Sequence, residues 1–269
     1  MSDVDRRNAS ESAAAGGTAR RQLTALGWAE LLLFVRAKSN LVNVLFIPAL
    51  VLVALTVTMN LYDLDALGLA LGPVMLATAT GIVLVFSLYV PLTGTYVARR
   101  EELLLKRLRT GEVGDTTILL GSALPAISIV ITQMLLIGAI VIPMTNAGPP
   151  AAPHYIIIGI VLGCIMMAGF AAATSAAART SENVQVAIVP LLVLLPSTSG
   201  TFFPLEAMPQ PVQDVFHWMP MTPIIDLVRA GWTGDVEPAE AMLRIGLLVL
   251  WTVIALGAAH RWFRWEPRV

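Results

Sequence analysis

The side chains able to do chemistry in this chain are few, and their spacing suits contact better than catalysis. The densest group is Val97 to Arg109, VARREELLLKRLR, a run of strong helix formers. On a helix, Val97, Glu101, Leu104 and Leu108 fall on one stripe with Leu105 beside it, while Arg100, Glu102, Lys106, Arg107 and Arg109 project elsewhere. Glu102 and Lys106 stand at i, i+4 and support one another. Gly111 suits the end of such a helix, and Asp115 or Thr116 suits the N-cap of the next. A surface of mixed charge like this is either a solvated loop helix or a docking face for another protein, and the residue pattern leaves both open.

Groups for other chemistries are isolated. Cys164 is the only cysteine and sits in an apolar stretch, which excludes an intrachain disulfide and a thiolate metal site and suits packing. His154, His217 and His260 each stand at the edge of an apolar block with no ligand-spaced partner, as interfacial residues do. No HExxH, paired-aspartate or Ser with His arrangement occurs within the apolar runs. The two lysines, Lys38 and Lys106, are not preceded by glycine, so there is no phosphate-binding loop of the GxxxxGK[ST] kind. The chain is therefore expected to be no enzyme, to hold no metal or cofactor, to bind no nucleic acid, and not to hydrolyse ATP alone.

The elements that position the charged run are set by hydropathy. Of 269 residues 57% are hydrophobic and 13% charged, against about 25% charged in a soluble domain, and the mean hydropathy is +0.77. That excess calls for a lipid bilayer. A hydrocarbon core about 30 Å thick needs about 20 apolar residues in a helix. The spacing of uncharged runs predicts an all-α, polytopic membrane protein with six transmembrane helices, over approximately 40–62, 68–97, 117–145, 155–178, 184–204 and 243–262. Lipid offers backbone groups no partners, and these runs lack the alternation of barrel strands, so the spans are helical. Prolines within them, such as Pro91, Pro125 and Pro190, are expected to bend the helices and not to break them. Residues 1–20, rich in Ala, Gly, Ser, Asp and Arg, are expected to be a disordered cytoplasmic tail without a secretory signal, and 21–269 one membrane domain.

Fifteen of the seventeen Lys and Arg residues fall on one side of this topology, and only Arg229 and Arg244 on the other. The positive-inside bias makes the basic side cytoplasmic, with both termini there. No Asp, Glu, Lys or Arg lies in the core of any run, yet proton relays and ion-coupled carriers are built from such groups. A transport protein of this kind is either passive or takes energy through contact with a partner, and the charged segment after the second span is the place for that contact.

Two blocks carry a resemblance. RREELLLKRLRTGEVGDTTILLGSALPAIS resembles the coupling segment of type-2 ATP-binding-cassette (ABC) transporter permeases, in which a charged helix precedes the start of the third span. SGTFFPLEAMPQPVQDVFHWMPMTPIIDLVRAG resembles the stretch between spans five and six of the same family. The chain departs from many relatives at Thr110-Gly111, where Thr-Pro is usual, and at Gly121-Ser122, where Gly-Lys is usual. Its Arg-Leu-Arg-Thr-Gly-Glu form looks like actinobacterial drug-resistance and antibiotic-export permeases. The resemblance implies a permease dimer in a bacterial plasma membrane, with ATP and Mg²⁺ on separate ABC ATP-binding subunits docked at the coupling helix. The ATPase-coupling residues it implies are Arg100, Glu101, Glu102, Lys106, Arg107 and Arg109. The cargo it implies is a hydrophobic or amphipathic drug or antibiotic, with a lipid-linked glycan or a non-transporting membrane assembly role as alternatives.

Three further segments complete the sequence reading. Trp28, Leu31, Leu32 and Val35 make one face of an N-terminal interfacial helix over 21–39, either a plain anchor or a border of the ATPase contact. Pro204, Pro209, Pro211, Pro220 and Pro223 divide the segment between spans five and six into short re-entrant helices, which either cap the exit or serve packing. Gly159 and Gly163 form GxxxG, for packing within the chain or for the dimer seam. By family analogy the substrate route runs near spans two and five, where Phe86, Tyr89, Phe202 and Phe203 are candidates, with core packing as their other reading.

Overall fold

The computed structural model describes residue 53 and residues 68–102, 115–178, 180–202 and 204–263. The expected tail, the interfacial helix and, apart from Val53, the first span lie outside the described residues. Every regular element among the described residues is helical. Helix α1 runs over Leu71–Glu101 and widens into a π-helix at Leu84–Tyr89. It is followed by α2 (Asp115–Thr145), α3 (Pro153–Ser175) and α4 (Val184–Ser197), the last entered through a 3₁₀ turn at Ser181–Asn183. A 3₁₀ turn at Leu205–Ala207, then α5 (Gln210–Phe216) and α6 (Thr222–Thr233), lead to α7 (Pro238–Trp262).

Helix α1, residues 121–145 of α2, α3 and α7 are each long and apolar enough to cross a membrane. The internal prolines do not break the helices that hold them. Pro125 and Pro143 lie inside α2 and Pro190 and Pro196 inside α4, while Pro153, Pro211, Pro223 and Pro238 sit in first turns, where no backbone N–H is missed.

The far bound of the fifth expected span, 184–204, is corrected. Helix α4 stops at Ser197, so with the 3₁₀ turn before it the helical stretch is Ser181–Ser197. It stops because Thr198 Oγ1 bonds back to the Leu194 carbonyl at 2.8 Å, Ser199 and Thr201 pair their hydroxyls at 2.6 Å, and Gly200 takes φ +77°. A run without charge was read as helical, but its hydroxyls and glycine favour a turn.

Helix α1 is the central element, with Val83, Leu84, Leu88, Tyr89 and Val97 wholly buried. Helix α3 packs on α1, α7 lies along α3, and α6 fits against both α1 and α3. The GxxxG pair serves this last contact: a Cβ on Gly163 would stand 3.0 Å from Ile224 and 3.2 Å from Leu84, and one on Gly159 3.4 Å from Leu227. Packing within the chain is therefore the observed use of the motif. The outer faces of α2, α4 and α7 expose Leu135, Val186, Met242 and Val253 among others, a surface suited to lipid or to a partner helix.

Candidate functional site

The basic end of the bundle is tied together by the last turns of α1. Tyr96 Oη donates to the Leu119 carbonyl at 3.1 Å, and its ring meets Phe263 edge-on with centroids 5.7 Å apart. Arg99 Nη1 donates to Ser122 Oγ at 2.7 Å. Arg100, 1% exposed, donates from Nη1 to the Ser175 carbonyl at 3.1 Å and from Nη2 to the Ala178 carbonyl at 2.7 Å. The Glu101 carboxylate accepts from the Ser181 N–H at 3.1 Å and from its hydroxyl. Each charge has the partner that helix ends leave open: a guanidinium on carbonyls at the end of α3, and a carboxylate on an N–H before α4.

This arrangement corrects the stripe read from sequence. Val97 continues along the buried side to Arg100 at i+3, and Glu101 at i+4 lies exposed beside it. Arg100 thus points into the fold and is not an outward docking group. Helix α1 ends at Glu101, with Glu102 exposed as its C-cap. Lys106, Arg107 and Arg109 lie outside the described residues.

The opposite end holds a second set of charges. Asp226 on α6 pairs with Arg244 Nε of α7 at 3.3 Å and with Arg229 at 3.6 Å. Arg229 reaches Glu206 at 2.5 Å, and Arg244 reaches Glu240 at 3.3 Å and the His217 carbonyl at 3.4 Å. Burial pushes the Asp226 carboxyl above the usual carboxylate range, against the pull of Arg244 and Arg229. A cavity of about 330 Å³ opens beside this network, lined by Pro73, His217, Asp226, Thr233, Glu240 and neighbours. Trp251 Nε1 donates to the Trp218 carbonyl at 2.9 Å, a further tie between α7 and the segment before α6.

The candidate route residues do not share one surface. Tyr89 is wholly buried, with its hydroxyl donating to Thr174 Oγ1 at 3.1 Å, whereas Phe86, three residues earlier, is 39% exposed. Phe202 is exposed in the turn after α4, and Phe203 lies outside the described residues. Among the described residues no group of three His, Cys, Asp or Glu side chains comes together as a metal site. The ties made by Tyr96, Ser122, Glu206, Asp226 and Arg244 were not anticipated from sequence; the i, i+3 pair Asp226 and Arg229 and the i, i+4 pair Glu240 and Arg244 were their local signals.

A multi-pass helical membrane protein whose described charges gather at its two ends is the class that this fold defines. A family model described as ABC-2 family transporter protein matches residues 57–260. The chain belongs to the ABC-2 transporter family, the membrane-transport components of ABC transporters. No curated protein matches the chain.

Proposed function

We propose that this chain is the permease subunit of an ATP-driven exporter that moves hydrophobic or amphipathic compounds, of the drug or antibiotic kind, out of a bacterial cell. The family match supports the permease role, and the observation that carries the energy source is the charge distribution. Helix α3 and the long central parts of α1, α2 and α7 contain no Asp, Glu, Lys or Arg, so these described spans hold no fixed charge to harness an ion gradient. Work then enters from separate ATP-binding subunits, with ATP and Mg²⁺ held there, docked at the basic, cytoplasmic end. Two permease copies form the membrane body, each with six spans: residues near 40–62 supply the first and α4 the fifth. Glu102, Lys106, Arg107 and Arg109 form the docking charges. The segment from 205 to 233 re-enters the outer leaflet and caps the exit.

The test is to co-express the chain with its ATP-binding subunit, purify the complex, and measure which compounds stimulate ATP turnover. Reversing Glu102 together with Arg107 should lower co-purification of the ATPase without loss of membrane insertion. Failure of any ATP-hydrolysing subunit to accompany the wild-type chain overturns the proposal.

A further inference from the structure

We propose that Arg100 and Glu101 form the joint that passes motion of the coupling segment to the spans, acting inside the permease and not on the ATPase. The inference rests on the coupling reading above and assigns the step that follows docking.

These two neighbouring residues, at the point where α1 gives way to the coupling segment, hold the two sides of a single turn. Arg100 grips the carbonyls of Ser175 and Ala178, and Glu101 grips the N–H and hydroxyl of Ser181. Ser175 is the last residue of α3, and Ser181 opens the 3₁₀ turn that leads into α4. A two-pronged guanidinium on backbone oxygens resists sliding in its plane, which a lysine cannot do. In the same last turns of α1, Tyr96 and Arg99 hold Leu119 and Ser122 of α2. A pull on residue 102 therefore reaches α2, α3 and α4 together, as the rigid-body movement of a packed unit. The charges sit where an energy input has to be divided among helices, and the more buried of the two has no surface to offer a partner.

The test uses the complex in vesicles with four permease variants: Arg100→Lys, Glu101→Ala, Ser181→Ala and, as the docking control, Glu102→Lys. The joint predicts that the first three keep the ATPase bound and keep its ATP turnover, while compound exported per ATP falls by about tenfold, the scale of losing one charge-assisted hydrogen bond. Glu102→Lys should instead lower ATPase recovery with export per bound ATPase unchanged. Glu101→Gln, which keeps an oxygen for the Ser181 N–H, should recover most of the Glu101→Ala loss. Should Arg100→Lys fail to insert, Glu101→Ala and Ser181→Ala at the exposed half decide the matter. Wild-type export per ATP in those two, or loss of the ATPase from them as from Glu102→Lys, overturns the joint while the exporter reading stands. A wild-type chain without any ATPase partner removes both.

Discussion

Tyr89 donates its hydroxyl to Thr174 Oγ1 across 3.1 Å, joining the π-helix of α1 to the last turn of α3 at a half-buried site. Tyr89→Phe removes this bond and keeps the ring. The expected loss is about 1 kcal/mol of stability, visible as a lower unfolding temperature in detergent. Thr174→Val should cost a similar amount, and the double variant less than the sum of the two. Unchanged stability in both single variants would show that the hydroxyls gain nothing from each other.

The pair of Asp226 and Arg244 is largely buried, with side chains 14% and 13% exposed. Arg244→Gln leaves a carboxylate short of its closest cation and should destabilise by about 3–5 kcal/mol, as broken buried pairs do. Adding Asp226→Asn should restore much of that loss. Glu206→Gln acts on a pair near 30% exposure and should cost no more than about 1 kcal/mol. Thermal unfolding of the three variants and the double variant gives the ranking.

Gly163→Leu places a branched side chain where even a Cβ stands 3.0 Å from Ile224 and 3.2 Å from Leu84. Helix α6 must move off α3, at a cost of about 1–3 kcal/mol or more. If the GxxxG surface instead served the contact between permease copies, the variant would lower the dimer fraction and leave protomer stability alone. Size-exclusion chromatography with light scattering, read beside thermal unfolding, separates the two.

The two charged ends should label from opposite sides of the membrane. The one native cysteine, Cys164, is buried, which leaves the background low. Glu112→Cys should react with an impermeant maleimide in inside-out vesicles and Asp235→Cys in intact cells. The reverse pattern would invert the topology.

The long helices were legible because an uncharged run of more than 20 residues has one stable form in lipid. Their boundaries were less so. Helix α1 runs to Glu101 and α7 starts at Pro238, beyond the apolar limits of 97 and 243, because charged residues continue a helix beyond the hydrocarbon. The direction of Arg100 was misread for a different reason. Positions i+3 and i+4 from Val97 share a face of the helix, and which of them is buried depends on the open carbonyls of α3, distant in sequence. The second charge network was hidden in the same way, since Asp226 and Arg244 meet only when α6 lies against α7, and Arg229 meets Glu206 only when the turn at Leu205–Ala207 lies beside α6. The GxxxG motif was read correctly as a close-approach surface, and only the fold could say which helix approaches.

The wide turn at Leu84–Tyr89 sets a phase for everything after it. A π turn holds one residue more than an α turn, so the stretch from Val90 onward is rotated by about 100° from where an unbroken α-helix would place it. Arg100 meets the carbonyls of α3 in that rotated frame. Relaxing this turn to regular α winding at constant length would turn the guanidinium away from those carbonyls, whereas deleting a single residue between 84 and 89 would restore regular winding and leave Arg100 facing them. A one-residue deletion in this short window should therefore keep the later contacts of α1 in phase, where the same deletion in its regular turns would rotate them by about 100°.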